Sequence, residues 1–257
     1  MDGDSSMRRP LFLVSNDDGY RARGVHELTK MLSRLGDVIA VCPEEAQSAM
    51  SMALTIKRPL RLRRLHDYAE SEPGVEWYAV DGTPVDCVKL AMYAVLGERR
   101  PDMVCAGINH GSNSAINVIY SGTMGAAFEG TACGIPSVGF SLCDHSEDAD
   151  FTPMMPFVEE TVKKILAEGL PKGVCLNLNA PLSKELKGIR YCRAAEGHWT
   201  DEYEPMQPPF GSTVYWLTGR FVTDEPDAED TDEWALSHGY ISIVPELLDR
   251  TARDFKA

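Results

Sequence analysis

The chain has 257 residues, 25 of them basic and 39 acidic, and its formal net charge is −14. A content of 44% hydrophobic and 25% charged residues is typical of globular proteins and excludes disorder for most of the chain. Proteins that bind duplex nucleic acid neutralise phosphates with clustered Lys and Arg, so we expect no such partner for this acidic chain. No window approaches the roughly 20 apolar residues of a membrane span, so we expect no membrane association either.

The seven cysteines form an odd set without a Cys-x-x-Cys pair, and most of them lie in apolar runs. This pattern favours buried, reduced thiols in a cytoplasmic protein over disulfides or zinc ligands. The first residues, 1–10, are polar and too short for a signal sequence, and we expect them to be a disordered terminus or a remnant of cloning.

Strands and helices are predicted to alternate from residue 11 onward. The apolar run Leu11 to Ser15 ends in turn-forming residues, as a buried strand does, and Val25 to Leu35 has the apolar spacing of a helix. The later predicted strands are Val38 to Val41, Trp77 to Val80, Met103 to Ala106, Ser137 to Ser141 and Val174 to Asn177, and the later helices are Pro84 to Leu96, Gly122 to Cys133 and Pro153 to Ala167. Nearly continuous apolar strands alternating with helices indicate a parallel sheet covered on both faces. We therefore predict a Rossmann-like three-layer α/β sandwich over residues 11–188.

The last part of the chain, residues 189–257, has a different sequence pattern. Short β-like runs are separated by long polar and acidic segments, which predicts an appendage rich in β-hairpins. The acidic segments Asp144 to Asp150 and Asp224 to Glu233 are interpreted as solvated loops away from any site. The basic stretch Lys57 to Arg64 alternates with apolar residues and is interpreted as a strand with one solvated face.

Loops that follow the strands of a parallel sheet are where ligands bind. In the first such loop, two adjacent carboxylates, Asp17 and Asp18, directly follow the strand Leu11 to Ser15. Two neighbouring anions favour a hard divalent cation such as Mg²⁺ or Mn²⁺. The alternative is an Asp-Gly turn whose side chains cap the next helix, and this loop alone does not decide between the two.

Two further loops have the chemistry of a phosphate site. The loop Gly107 to Ser114 combines glycine with Asn and Ser, although such a loop is often only a flexible connection. The loop Tyr120 to Ala127 opens a helix whose amino terminus can hold an anion without Lys or Arg, or it is an ordinary serine cap. Neither loop matches the Walker A or dinucleotide-binding patterns.

These motifs occur together in one known family. The chain resembles the SurE family of stationary-phase survival proteins, which are nucleoside 5′-monophosphate phosphatases. The resemblance covers residues 11–248, and the motifs that carry it are Asn16-Asp17-Asp18-Gly19, Gln47-Ser48, Asp81 to Val88, Gly107 to Asn113, Tyr120-Ser121-Gly122-Thr123, Thr231-Asp232 and Gly239 to Ser242. Ala46 and Ala49 depart from the pattern, which bears on substrate preference more than on the reaction.

The resemblance implies an activity and a set of site residues. It implies a 5′-nucleotidase that uses one divalent cation per subunit, Mn²⁺, Mg²⁺ or similar, with 3′-monophosphates and short polyphosphate as further candidate substrates. The metal ligands would be Asp17, Asp18, Ser48 and Asn109, of which Asp17, Asp18 and Asn109 would also be catalytic. The residues facing phosphate and substrate would be Asn16, Gly111, Asn113, Ser121, Gly122 and Thr123. The resemblance also implies a homodimer or homotetramer in which subunits exchange carboxy-terminal elements.

Two other classes of protein share part of this pattern. A phosphorylation receiver module also has an acidic pair after its first strand, and Asp81 could serve as its phosphate acceptor. It needs a Lys after the last core strand, and none follows Ser137 to Ser141 at a suitable place. A metal-free anion-binding protein would leave Asp17 and Asp18 unexplained.

Overall fold

A computed structural model describes residues 8–72 and 74–253. The strands are β1 Leu11–Ser15, β2 Asp37–Pro43, β3 Leu62–Arg64, β4 Val75–Val80, β5 Met103–His110, β6 Ser137–Leu142, β7 Val174–Ala180, β8 Ile189–Tyr191, β9 Gly197–Thr200, β10 Tyr203–Met206, β11 Val214–Leu217, β12 Arg220–Thr223 and β13 Ile241–Leu247. The α-helices are α1 Arg23–Ser33, α2 His66–Ser71, α3 Pro84–Leu90, α4 Gly122–Ala132, α5 Met155–Glu168 and α6 Asp232–Ser237. A π-helical turn, Ala91–Val95, continues α3, and 3₁₀ turns cover Ala115–Ile119 and Thr152–Met154.

Nine strands form one sheet in the order β3-β4-β2-β1-β5-β6-β7-β13-β8. The six neighbours from β4 to β7 are all paired in parallel, whereas β3 and β13 pair antiparallel to β4 and β7. Helices α1 and α5 cover one face and helices α3 and α4 cover the other, each with its own apolar cluster. The predicted three-layer α/β sandwich with a mostly parallel sheet is confirmed.

The central strands lie between two layers of helices because their side chains are apolar on both faces. Every residue of β1 and β6 is buried. Helix α1 is amphipathic and buries Val25, Leu28 and Leu32 against the sheet. Helix α4 is buried almost all round, and its small residues permit this: a Cβ at Gly130 would lie 2.6 Å from the Val104 side chain of β5.

The carboxy-terminal segment contributes both to the main sheet and to separate ribbons. Strands β8 and β13 complete the nine-stranded sheet, with β13 between β7 and β8. Two antiparallel ribbons, β9 with β12 and β10 with β11, form the hairpin-rich part that was predicted. Every residue of β10 and β11 is exposed.

Several details differ from the predicted elements. Strand β5 runs to His110, four residues into the segment predicted as a glycine loop, because residues 109 and 110 still pair with β6 after a register shift. The predicted disordered terminus falls mostly on residues 1–7, which lie outside the described residues. The first described side chain, Arg8, donates two hydrogen bonds to the carboxylate of Asp102, at 2.8 and 2.9 Å. No described helix is long and apolar enough to cross a bilayer.

Candidate metal and phosphate site

The site lies where the chain direction across the sheet reverses. Strands β2 and β4 lie on one side of β1, and the next strand of the sheet in chain order, β5, pairs with the other side of β1. Loops at such a switch point diverge and leave a crevice at the carboxyl ends of the two strands. Asp17 and Asp18 follow β1, and Asn109 lies near the end of β5, so both predicted groups meet at this crevice.

A tight turn presents the two carboxylates. The Asn16 amide nitrogen donates to the Gly19 carbonyl at 2.9 Å, and Gly19 has a φ of +92° that favours glycine. Asp17 is only 4% exposed, and its Oδ1 accepts a hydrogen bond from the Thr123 hydroxyl. The Asp18 Oδ2 accepts the backbone N–H of His110 at 3.2 Å. The pair is therefore held from both β5 and α4.

Burial makes it unfavourable for the two carboxylates to be ionised. Burial is the larger cause, and the charge of Asp18 the smaller one, that together raise the pKa of Asp17 to about 6. Hydrogen bonds from Thr123 act in the opposite direction. Burial also raises the pKa of Asp18, against the N–H of His110 and the charges of His110 and His145. No Lys or Arg in the described chain contributes to either shift. A buried acidic pair of this kind favours a cation from solution.

Neutral oxygens suitable for a hard cation surround the pair. The backbone N–H of Gln47 donates to the Asp17 carbonyl at 2.6 Å, which brings the Ser48 loop to the acidic turn. The amide nitrogen of Asn109 donates to the Gly111 carbonyl at 2.8 Å, which leaves the Asn109 Oδ1 as an available acceptor. The Oδ1 of Asn16 is buried without a hydrogen-bond partner in the described structure. Two carboxylates with hydroxyl and amide oxygens fit Mg²⁺ or Mn²⁺.

Helix α4 begins against the acidic pair. Ser121 caps the helix, because its Oγ accepts the N–H of Met124 at 3.0 Å, and its hydroxyl hydrogen stays available to a ligand. A Cβ at Gly122 would lie 2.8 Å from the Cβ of Asp17, so the side chain of Asp17 fills the space that a larger residue would need. The absence of a side chain at Gly122 therefore sets how closely α4 approaches Asp17.

For the nucleotidase activity that the resemblance implies, we expect Gly122→Ala to lower kcat/KM by about tenfold or more, because displacing a reacting group by about 1 Å can cost up to a hundredfold. The φ of Gly122 is not positive, so alanine is conformationally permitted and the fold should persist. Steady-state kinetics together with circular-dichroism melting measures both effects. An unchanged kcat/KM in a folded variant would contradict this account of the contact between Gly122 and Asp17.

The loop that follows β5 is held by a buried network of asparagine side chains, which the sequence analysis did not predict. The N–H of Asn113 donates to Asn179 Oδ1 at 2.8 Å, and its side-chain nitrogen donates to Ser141 Oγ at 2.8 Å. Asn177 donates to the Asn113 carbonyl at 2.8 Å and accepts from Asn179 at 2.9 Å. Asn177 and Asn179 alternate with apolar residues in β7, and that alternation was the available signal.

The carboxy-terminal segment reaches the site through Asp232. Its carboxylate is fully buried and accepts three backbone N–H groups, from Ala115 at 2.7 Å, Ala195 at 2.8 Å and Glu233 at 2.9 Å. Glu233 in turn accepts the Ser114 hydroxyl at 2.5 Å. The segment Asp224 to Glu233 was interpreted as a solvated loop away from the site, and this is wrong for its last residues, which begin α6 after the Thr231 cap.

The other acidic segment, Asp144 to Asp150, was also expected to lie away from the site, and this is wrong too. The His145 ring packs on Gly111, where an added Cβ would lie 2.3 Å from it. The carbonyl of Ser146 lies 2.9 Å from His110 Nδ1. Asp144 to Asp150 follows β6 at the carboxyl-end rim of the parallel strands. Asp224 to Glu233 leads into α6 and β13, and the start of β13 lies at the same rim because β13 is antiparallel to β7. Hydropathy along the chain shows neither relation.

A cavity of about 650 Å³ opens over these loops. The predicted residues that line it are Asp17, Ser48, Asn109, Gly111, Asn113 and Ser121. The other predicted residues, Asn16, Asp18, Gly122 and Thr123, do not line this cavity; Asp18 borders an adjoining cavity of about 510 Å³ together with His110 and His145. No cluster of three or more His, Cys, Asp or Glu that could hold a metal occurs within the described ranges, so any cation site here relies on neutral oxygens as well.

The fold and the site define a class: a doubly wound α/β protein with a buried acidic pair, a capped helix amino terminus and a small-molecule cavity at its switch point. A family model described as survival protein SurE matches residues 12–201. The chain is 46% identical to a protein named 5′-nucleotidase SurE from Bacteroides fragilis, over 96% of this chain and 95% of that protein. It is 48% identical to a Flavobacterium johnsoniae protein of the same name, over 95% and 93% of the two chains.

A solved structure agrees with these sequence matches. The crystal structure of the SurE protein from Aquifex aeolicus is similar with a TM-score of 0.80 and 36% identity, and the match covers 95% of each chain. The chain belongs to the SurE family. The family resemblance predicted from the motifs is thereby confirmed.

Proposed function

We propose that this protein is a divalent-metal-dependent 5′-nucleotidase that hydrolyses nucleoside 5′-monophosphates to nucleoside and phosphate. The observation that carries the proposal is the cavity at the switch point, where a buried acidic pair, on which no Lys or Arg of the described chain acts, meets a serine-capped helix amino terminus. Its relatives named 5′-nucleotidase SurE support this function. The reaction breaks the ester bond between phosphorus and the 5′ oxygen by attack of water.

Asp17, Asp18, Ser48 and Asn109 would hold one divalent cation, either Mn²⁺ or Mg²⁺. A bound divalent cation polarises phosphoryl oxygens and lowers the pKa of water. Thr123 orients the Asp17 carboxylate by donating to its Oδ1. The N–H of His110 does the same for Asp18. Asp17 and Asp18 are the candidates to accept the proton of the attacking water.

The phosphate would be held without Lys or Arg. No Lys or Arg lines the cavity in the described part of the chain, so neutral donors have to replace them. The Ser121 hydroxyl and the amino terminus of α4 supply such donors, and the helix dipole favours an anion there. Gly111 at the rim has a φ of +120°, which favours glycine, and its missing side chain makes room for the His145 ring.

We expect the protein to release phosphate from nucleoside 5′-monophosphates in the presence of Mn²⁺ or Mg²⁺. A chelator should abolish this release, and excess metal should restore it. The assay should include 3′-monophosphates and short polyphosphate as further substrates. Absence of phosphate release from every nucleotide with every metal would contradict the proposal. A receiver module would instead gain a stable phosphoryl group from a small phosphodonor.

Two structural observations argue against the receiver interpretation. Asp81 lies after β4, and its carboxylate accepts the N–H of Arg61 at 2.7 Å and pairs with Arg58 at 3.3 Å on the protein surface. Strand β4 is separated from β1 by β2, so Asp81 is not part of the acidic turn. The relatives named as nucleotidases also do not support a receiver.

Assembly and location belong to the proposal as well. We propose a homodimer or homotetramer in which the subunits exchange carboxy-terminal elements from residues 189–257, with the exposed β10–β11 ribbon as the contact. Tyr215, Trp216 and Leu217 are each more than 60% exposed there, which is unusual for a surface without a partner. We place the protein in the cytoplasm, because its cysteines within the described chain are all free and mostly buried.

A further inference from the structure

The cavity is lined by residues of two chemical kinds. Asp17, Ser48 and Asn109 are polar and come from the α/β core. The side chains of Trp199 and Phe221 also line it, and they come from the β9–β12 ribbon of the carboxy-terminal segment. The cavity thus combines an oxygen-rich lining with an aromatic wall.

The structure assigns to Trp199 and Phe221 the role of a nucleobase platform that selects nucleotides over other phosphomonoesters. This assignment rests on the proposed nucleotidase function, whose substrate it specifies. Trp199 and Phe221 give the cavity aromatic surface on which a base can stack. A neutral base with a π-face suits such a wall.

The two rings are held in place by specific contacts. Their centroids lie 6.4 Å apart at an interplanar angle of 71°, an edge-to-face pair. Gly197 makes room for Phe221, because a Cβ at this position would lie 2.4 Å from Phe221 Cζ. Both rings are only partly exposed, so a ligand would meet a preformed wall with little side-chain entropy left to lose.

The aromatic wall is tied to the proposed phosphate site through one residue, Asn117. The indole N–H of Trp199 donates to Asn117 Oδ1 at 3.0 Å, and the Asn117 carbonyl accepts the N–H of Ser121 at 3.1 Å. Asn117 therefore holds Trp199 and the cap of α4 at a set separation. The indole N–H is already engaged, so Trp199 has no hydrogen-bond donor left for a base, which favours tolerance of different bases.

The test compares nucleoside 5′-monophosphates with ribose 5-phosphate, which has the same phosphate and sugar without a base. For Trp199→Ala and Phe221→Ala we expect kcat/KM for nucleotides to fall about tenfold to a hundredfold, the range for loss of a base–aromatic stack. For ribose 5-phosphate we expect a change of less than about threefold. Tyr93→Ala is the matched control, because Tyr93 is an exposed aromatic residue on the π-helical turn after α3, outside the carboxy-terminal segment, and it does not line the cavity.

Binding of adenosine, measured by titration calorimetry, provides a readout that needs no turnover. We expect Trp199→Ala to weaken adenosine binding about tenfold or more, while Tyr93→Ala leaves it unchanged. Equal losses for nucleotides and ribose 5-phosphate, or no loss for either, would overturn the platform. If the wild-type protein binds adenosine at Trp199 but releases phosphate from no nucleotide, the nucleotidase proposal fails and the platform stands.

Discussion

Asp17→Asn is expected to remove nearly all phosphatase activity and at the same time to stabilise the metal-free protein. Loss of a metal ligand forfeits several kcal/mol of transition-state stabilisation, which is about a hundredfold to several thousandfold in kcat/KM. Without metal, the charge of Asp17 is buried beside Asp18, and its pKa of about 6 shows that ionisation there is unfavourable. Removing that charge should raise the free energy of unfolding at pH 7 by about 1–3 kcal/mol.

Kinetics and denaturant unfolding of the same Asp17→Asn preparation, with chelator and with Mn²⁺, measure the two effects. Metal should raise the unfolding free energy of the wild type and leave the variant unchanged, since a ligand stabilises only the state that binds it. Asp227→Asn makes the same change of charge at an exposed position and serves as the control. Normal turnover in Asp17→Asn, or equal stabilisation of both proteins by Mn²⁺, would remove Asp17 from the metal site.

The second large effect is expected for Asp232→Ala, far from the acidic turn in sequence. Asp232 accepts N–H groups from Ala115 and Ala195, in addition to that of Glu233, and it is fully buried. Each buried donor left without an acceptor costs about 1–3 kcal/mol. We expect the variant to lose about 3–5 kcal/mol of stability and to bind substrate less tightly, because the N–H of Ala115 belongs to the glycine-loop rim.

Asp232→Asn tests whether the loss of acceptors is the cause. It keeps one carbonyl acceptor and should therefore lose roughly half as much stability as Asp232→Ala. Asp230→Ala is the matched control two residues away. Its carboxylate is 68% exposed and pairs with Arg193 at 2.9 Å, and surface pairs contribute little. Denaturant unfolding of the three variants, with KM and kcat measured separately, tests the role. Equal stability of Asp232→Ala and Asp230→Ala would contradict it.

The sequence by itself was sufficient for most of the core. The apolar runs of β1 and β6 and the spacing of Val25, Leu28 and Leu32 follow from local burial, so the α/β order was predicted correctly. Short elements were missed. Helix α6 has only six residues and lies at the end of an acidic stretch. Its formation depends on the burial of Asp232, which is a tertiary effect.

For the site, the sequence determined which groups could do the chemistry, and the tertiary structure decided how they are arranged. The acidic pair after β1 could be read from local pattern, because strand ends carry ligands in parallel sheets. That Thr123 contacts Asp17, and that Asn113 is fixed by β7, depends on contacts 106 and 66 residues apart. The aromatic wall of the cavity comes from the most distant segment. Trp199 and Phe221 reach the cavity because β9 packs on the 3₁₀ turn Ala115–Ile119, where Trp199 donates to Asn117. Hydropathy reports each residue's own burial, and it carries no information about which distant loop will face it.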